Sequence, residues 1–158
     1  MATIHLKIAG IDGDSVAAGY EGQIDCDSWA WGAHQPANMH NATGGAAGGS
    51  QVHDLRVTKK MDKASANLMK YCCKGNHIAE VTMSCTKSSG EAQVEWLKVT
   101  MTKVIISNVN FSGSDNQTQG GEELTLNFAK YMMEYFEQTD TGSQGAAVTA
   151  EYDIATQT

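Results

Sequence analysis

The stretch "ELTLNFAKYMMEYFEQT" (residues 123–139) decides the fold, because it can be read with two different periods. Leu124, Phe128, Met132 and Tyr135 suit one face of a helix, whereas Leu124, Leu126 and Phe128 alternate as on a strand. Thr125 and the aromatic residues favour the strand, since such side chains pack well on a pleated, half-buried surface. The segments on either side tip the choice the same way.

Upstream, "AQVEWLKVTMTKVIISNVNFSG" (92–113) is long and rich in β-branched residues, with Leu97, Val99 and Met101 opposite Lys98, Thr100 and Thr102. "HIAEVTMSCTK" (77–87) puts Ala79, Val81, Met83 and Cys85 on one face, and "SSGE" (88–91) turns between the two segments. "SGSDNQTQGGEE" (112–123) is a loop of low hydrophobicity, and "TGSQGA" (141–146) turns the chain into "AVTAEYDIAT" (147–156), where Val148, Ala150, Tyr152 and Ile154 alternate. Further strands are predicted at "TIHLKIAG" (3–10), in "QIDCDSWAW" (23–31) and in "QVHDLRVTKK" (51–60) around Leu55 and Val57.

One segment changes period. In "MDKASANLMKYCCKGN" (61–76), Ala64, Leu68, Tyr71 and Cys72 fall on one helical face. Asp62 is placed to cap the first N–H groups, and Gly75 to end the helix in a left-handed conformation. Such a short helix needs a sheet to pack against. The predicted fold is mainly β: a single-domain β-barrel of antiparallel strands over residues 1–158, with one short α-helix (about residues 62–73) beside it. Closure is the economical arrangement, because it removes most strand edges.

Composition narrows the function. The chain has 158 residues, 16 of them Gly, and a formal net charge of −7 from 11 Lys plus Arg against 18 Asp plus Glu. The basic residues form no run, so a nucleic-acid groove has no electrostatic support. No apolar run approaches the roughly 20 residues of a spanning helix, so membrane insertion is not expected. The first residues lack the basic start and apolar core of a secretory signal, which makes synthesis and folding in the cytoplasm the default expectation. Cys26, Cys72, Cys73 and Cys85 have neither a zinc spacing nor the look of a disulfide scaffold, and are expected to be free thiols, mostly buried.

The segment from Ser28 to Leu55 holds two tryptophans, His34, His40, His53 and the small-residue tract "GGAAGGS" (44–50). The histidine spacing matches no HxxxH or HExxH pattern, and the tract lacks the Lys of a phosphate loop. His53 and Asp54 would point to opposite faces of a strand, which is poor geometry for a base and its orienting acid. Cys72 could be drawn as a nucleophile beside His77, but it shares the apolar face of Leu68. No catalytic, metal or cofactor site is therefore expected, and the tract is read as an extended arm.

As a whole the chain resembles the haemolysin-coregulated protein (Hcp) family of bacterial type VI secretion. The likeness is carried by "DSWAWGAHQPANMH" (27–40) with the glycine-rich tract, by "VHDLRVTKKMDKASANLMKYCCKGNHIAEVTMSCTKSSGEAQVEWLKVTMTKVIIS" (52–107) and by "ELTLNFAKYMMEYF" (123–136). Lys60, Asp62, Lys63, Ser65, Leu68, Met69, Cys72, Gly75 and His77 match the family's helix segment; Gly90, Glu91, Gln93, Val94, Glu95, Trp96 and Leu97 match the strand entrance after it. The departures are local: Ala30 stands where members often carry Ser, Trp96 where Tyr is common, and Cys73 is an addition to the usual Cys72.

What the resemblance implies is a structural tube subunit rather than an enzyme, with no cofactor. Copies assemble as a homohexamer, and rings stack on further Hcp rings inside a contractile sheath behind a VgrG-like spike. Small effectors travel in the lumen, and the protein leaves through the apparatus itself, without a signal peptide. Alternative expectations are a soluble ring-shaped chaperone for effectors, or a phage tail-tube-like protein. Ala30 is the expected lumen-facing residue, because Trp29 and Trp31 point to the other side of the strand. Met39, His40, Asn41, Thr43, Gly44, Gly45, Gly48 and Gly49 are the expected inter-ring arm. Asp62, Lys63, Lys70 and Lys74, on the flank of the helix, are expected at the ring interface.

Overall fold

In the computed structural model, residues 3–36, 40, 49–89 and 92–158 are described. The elements in chain order are β1 (Thr3–Ile8), β2 (Ile24–Cys26), β3 (Ser28–Ala30), β4 (Ala33–His34), β5 (Gln51–Val52), β6 (Leu55–Lys60), α1 (Ser65–Lys74), β7 (His77–Ser89), β8 (Ala92–Ser112), β9 (Gly121–Gln138) and β10 (Gln144–Asp153). The segment that admits two periods is strand, within β9.

The main sheet runs β2-β1-β7-β8-β9-β6-β3, with β10 paired to β9 off this path, and every pairing is antiparallel. The two ends of that order are consecutive in the chain. β2 pairs β1 (Ile4 opposite Cys26) and β3 pairs β6 (Trp29 opposite Val57), while the Asp27 N–H donates to the Thr58 carbonyl at 2.7 Å between them. The sheet thus curls into a nearly closed barrel. Its core is filled by Leu6, Ile8, Ile24, Leu55, Val57, Val81, Met83, Leu97, Val99, Met101, Leu124 and Leu126, each no more than 3% exposed.

Strict alternation fails at three places, two of them shifts in register. Lys103 has φ 55 and lies between Thr102 (opposite Lys130) and Val104 (opposite Phe128); before it Leu97, Val99 and Met101 are buried, after it Val104 and Ile106. The partner strand β7 changes phase at the same level, so that Ile78 is buried and Ala79 exposed. This corrects the expected placing of Ala79 with Val81, Met83 and Cys85. The two register shifts lie between Ile106 and Asn108 on β8 and between Cys85 and Thr86 on β7, where the partner strand carries Trp96 as the extra residue. Each bulge re-aims the side chains beyond it.

The helix starts later than Asp62. Asp62 Oδ1 accepts the Ala64 N–H at 3.0 Å and Ser65 Oγ accepts the Asp62 N–H at 2.9 Å, so residues 62–64 form a turn that leads into α1. Gly75 closes α1 at φ 64, with its N–H on the Cys72 carbonyl. Ala64 and Leu68 are fully buried, and Tyr71 and Cys72 pack half-buried against the same core.

Candidate functional site

The exposed features of the barrel fall into three regions. The first surrounds Ala30. Trp29 and Trp31 pack against the core while Ala30 is exposed, as the alternation of β3 demands. Ala30 lines a shallow concavity of mixed character with Trp31, Gly32, His53, Asp54, Arg56, Asn108, Glu123 and Thr125. Arg56 and Glu123 lie across the β6–β9 ladder, 3.8 Å apart and largely exposed. Asp54 is better held: Ser107 Oγ donates to its Oδ2 and Asn127 Nδ2 to its Oδ1, both at 2.8 Å. Ser107 is the extra residue of a β8 bulge, and β9 loses β6 as a partner beyond Leu126. The Asp54 carboxylate therefore fastens the point where the sheet changes partners.

The second region is the base of the arm. Ala33 pairs with Val52 and His34 with Gln51, so the chain leaves the barrel at His34 and re-enters at the residue opposite it. Trp31 Nε1 donates to the His53 carbonyl at 2.9 Å, and the His53 N–H donates to the Gly32 carbonyl at 2.9 Å, which pins the stem of this excursion. Of the expected arm residues, His40 and Gly49 are described and exposed; Met39, Asn41, Thr43, Gly44, Gly45 and Gly48 lie outside the described residues.

The third region is the flank of α1. Lys63, Lys70 and Lys74 are exposed, but Asp62 is not a surface charge. Its side chain is 8% exposed and stands 3.0 Å from Lys59 Nζ, which also lies 2.9 Å from Glu122 Oε2; the Lys59 and Glu122 side chains are completely buried. Ser65 Oγ, 3.4 Å from the same ammonium, completes the cluster. The likeness to the helix segment was placed on Lys60. The structure puts the interacting lysine at Lys59, while Lys60 is exposed, 3.7 Å from Asp27. A lysine in an alternating polar strand carries no mark of burial beyond its parity, because its partners come from a distant strand and from the turn before α1. Its parity with Leu55 and Val57 was the available signal.

The nitrogen- and sulfur-bearing side chains are dispersed. Among the described residues no group of three or more His, Cys, Asp or Glu is placed to hold a metal, and all four cysteines are free. Burial pushes the Cys26 thiol up to about 12, against the pull of Lys59, and the Cys85 thiol up to about 11. Both are far from the thiolate form that reactive cysteines use. Cys73 is exposed and His77 is exposed at the start of β7. Buried His5 has a structural engagement that sequence reasoning did not find. Its Nε2 is 3.1 Å from Asp25 Oδ1, its ring stacks on Tyr20 at 4.5 Å, and Tyr20 donates to Glu95 at 2.8 Å. Burial lowers its pKa, with Asp25 opposing.

The fold and these regions define a class: an antiparallel β-barrel with a helix at its side and a small two-stranded ladder of β4 and β5, whose distinctive features are faces. A family model described as "Type VI secretion system effector, Hcp" matches residues 5–135. Protein hcp1 of Pseudomonas aeruginosa is 37% identical over 139 residues, 88% of this chain and 86% of that protein. Among solved structures, Hcp1 from Salmonella typhimurium superposes with a TM-score of 0.82 at 34% identity, covering 99% of this chain and 97% of that one. A type VI secretion system effector from Yersinia pestis does so with a TM-score of 0.73 at 30% identity, covering 96% and 99%. The chain belongs to the Hcp family of type VI secretion tube proteins.

Proposed function

We propose that this protein is the repeating subunit of a type VI secretion inner tube. Residues 1–158 act as one tube-subunit domain, which assembles as a homohexameric ring; rings stack within the contractile sheath and are expelled with a VgrG-like spike. The protein waits in the cytoplasm and leaves through the apparatus itself. Family membership over residues 5–135 carries this reading.

Three faces receive roles within it. Ala30 and its concavity face the lumen, where hydroxyl, amide and paired charged groups suit contact with small effectors without the desolvation cost of isolated ions. The helix flank, from Asp62 through Lys63 and Lys70 to Lys74, meets the neighbouring subunit; Asp62 contributes by holding the turn in place. The segment between His34 and Gln51 reaches the next ring. Its two ends are paired with each other, so its length serves something outside the barrel. Each arm contact is weak, because ordering backbone costs about 1–2 kcal/mol per residue, but several around a ring act together.

A mass measurement in solution tests the ring: about 101 kDa, six times the 16.9 kDa chain, is expected, and a concentration-independent monomer would refute it. Deleting Thr43–Gly49 should leave that mass unchanged while electron microscopy shows loss of stacked rings. Unchanged stacking would remove the arm from the tube contact.

A further inference from the structure

We infer that the tip of the loop between β1 and β2, residues 16–22, is a lid that Tyr20 holds shut over His5 and that opens as the medium turns mildly acid. Leu6 and Ile8 of β1 fill the core, so His5 stands on the outer face of the strand with Thr3 and Lys7. Lys7 is exposed there, yet His5 is only 3% exposed. What covers it is the Tyr20 ring, stacked on the imidazole with centroids 4.5 Å apart and planes 8° from parallel. The Tyr20 hydroxyl reaches on to Glu95 Oε2 at 2.8 Å. Burial and Glu95 push the phenol up, so it stays a donor.

The loop has a packed base and a loosely held tip. In the base, Ile11 is 3% exposed, and a Cβ on Gly13 would lie 2.5 Å from the Gln23 carbonyl oxygen. In the tip, Val16, Ala18, Gly19 and Glu21 are exposed, Val16 at 91%. The tip's hydrogen bonds stay within the loop: the Tyr20 N–H donates to the Ala17 carbonyl, the Gly22 N–H to the Ser15 carbonyl and the Ala17 N–H to Ser15 Oγ. Gly19 and Gly22 flank Tyr20 at φ 85 and 77, with open space where a Cβ would stand, and supply the backbone freedom for a swing. Tyr20 is thus the fastening of the tip to the barrel wall.

The imidazole makes that fastening sensitive to protons. Its Nε2 faces Asp25 Oδ1 at 3.1 Å, which fixes the neutral ring with its proton on Nε2. Nδ1 is buried and has no hydrogen-bond partner, so an incoming proton lands where there is no acceptor. The groups around the ring are Asp25 on β2, Lys7 on β1, Ser84 directly across on β7 with Lys98 beyond it on β8, and Glu95, which reaches it through Tyr20. Burial lowers the His5 pKa below 6.5, with Asp25 opposing, whereas a ring uncovered by Tyr20 regains the ordinary value. The closed loop therefore binds the proton less well than the open one. Above pH 6.5 the lid stays shut. As the pH falls, uptake of one proton from water favours the open loop, by at most about tenfold per pH unit.

Hydrogen exchange read by mass spectrometry, corrected for the intrinsic effect of pH, tests the lid at pH 7 and pH 5.5 in the wild type, His5→Gln and Glu95→Gln. In the wild type, peptides covering residues 13–23 should lose protection at the lower pH, while those covering Leu97, Val99 and Met101 keep theirs. His5→Gln should show no such loss. Glu95→Gln, which leaves Tyr20 an amide oxygen to bind, should still show it. Unchanged protection of the loop in the wild type would overturn the lid. So would a loss shared by the β8 core, one that persists in His5→Gln, or one that vanishes in Glu95→Gln. Should His5→Gln fail to fold, the pH at which the wild-type loop begins to open decides. An onset near 6.5 marks the imidazole; an onset only in the carboxylate range, about pH 4, refutes it.

Discussion

The long β8–β9 hairpin carries two different environments on one pair of strands. In its barrel half, β9 residues Leu124, Leu126 and Phe128 lie under β6 and the core, with exposures of 0%, 0% and 5%. In its outer half the same strand pairs with β10, and its apolar side chains at Met133 and Tyr135 are 36% and 48% exposed, with the Tyr135 ring edge-on to Trp96. Even the ion pairs differ: Glu122 in the barrel half meets Lys59 with both side chains fully buried, whereas Lys130 and Glu151 in the outer half are 43% and 60% exposed. Equal alternation therefore means burial in one half and exposure in the other. What separates them is which strand arrives as the next neighbour.

The largest contrast should come from the ion pairs. Lys59→Ala leaves two carboxylates inside the protein with no cation, and should destabilise by about 3–5 kcal/mol. Lys130→Ala removes a screened surface pair and should change stability by less than about 1 kcal/mol. Urea unfolding at one fixed protein concentration measures both; similar values would erase the distinction between the halves. Next come the apolar residues. Leu126→Ala opens a cavity in the core and should cost about 2–5 kcal/mol. Val148→Ala should stay within about 0.5 kcal/mol when the dissociated subunit is unfolded, because its side chain is already in water there.

The smallest expected effect is a pH dependence at His5. His5 on β1 is hemmed in by Asp25 on β2, by Ser84 directly across on β7, and by Tyr20, whose hydroxyl binds Glu95 on β8. Burial lowers its pKa below the 6.5 of the unfolded chain, and Asp25 partly offsets that. Between the lowered value and 6.5 the unfolded chain binds more protons, so His5 contributes fully above about pH 6.5 and loses that contribution as the pH falls. His5→Gln should therefore lose less stability than the wild type between pH 7 and pH 5, in matched urea titrations. Parallel pH curves would remove His5 as a source of acid sensitivity.

Much of the fold was legible in particular stretches. The alternation of Leu97, Val99 and Met101, the helical face of Leu68 and the stop at Gly75 all read correctly, since each depends on near neighbours in the chain. The errors cluster at breaks in pattern. Ala79 was misplaced because the burial phase changes at Lys103 on the partner strand, and a local reading cannot see a partner. The helix was drawn from Asp62 because an acidic residue before an apolar period looks like a cap, whereas Asp62 is drawn into a turn by Ser65 and Lys59. The surfaces were partly legible: the Trp29-Ala30-Trp31 alternation exposes Ala30, but nothing local distinguishes Val148 from Val99.

Local sequence determined that this chain is mostly strand with one short helix, since periods of two and of 3.6 residues are written in near-neighbour side chains. The absence of any metal or phosphate spacing pointed away from such chemistry, and the ordered family segments pointed to a secretion tube. Only the tertiary structure decided that Lys59 is the buried partner of Asp62 and Glu122, and that the apolar face of β9 is buried in one half and exposed in the other. Those facts depend on pairings between residues far apart in the chain. Burial is a property of what lies across from a side chain, and that neighbour is chosen only when the barrel closes.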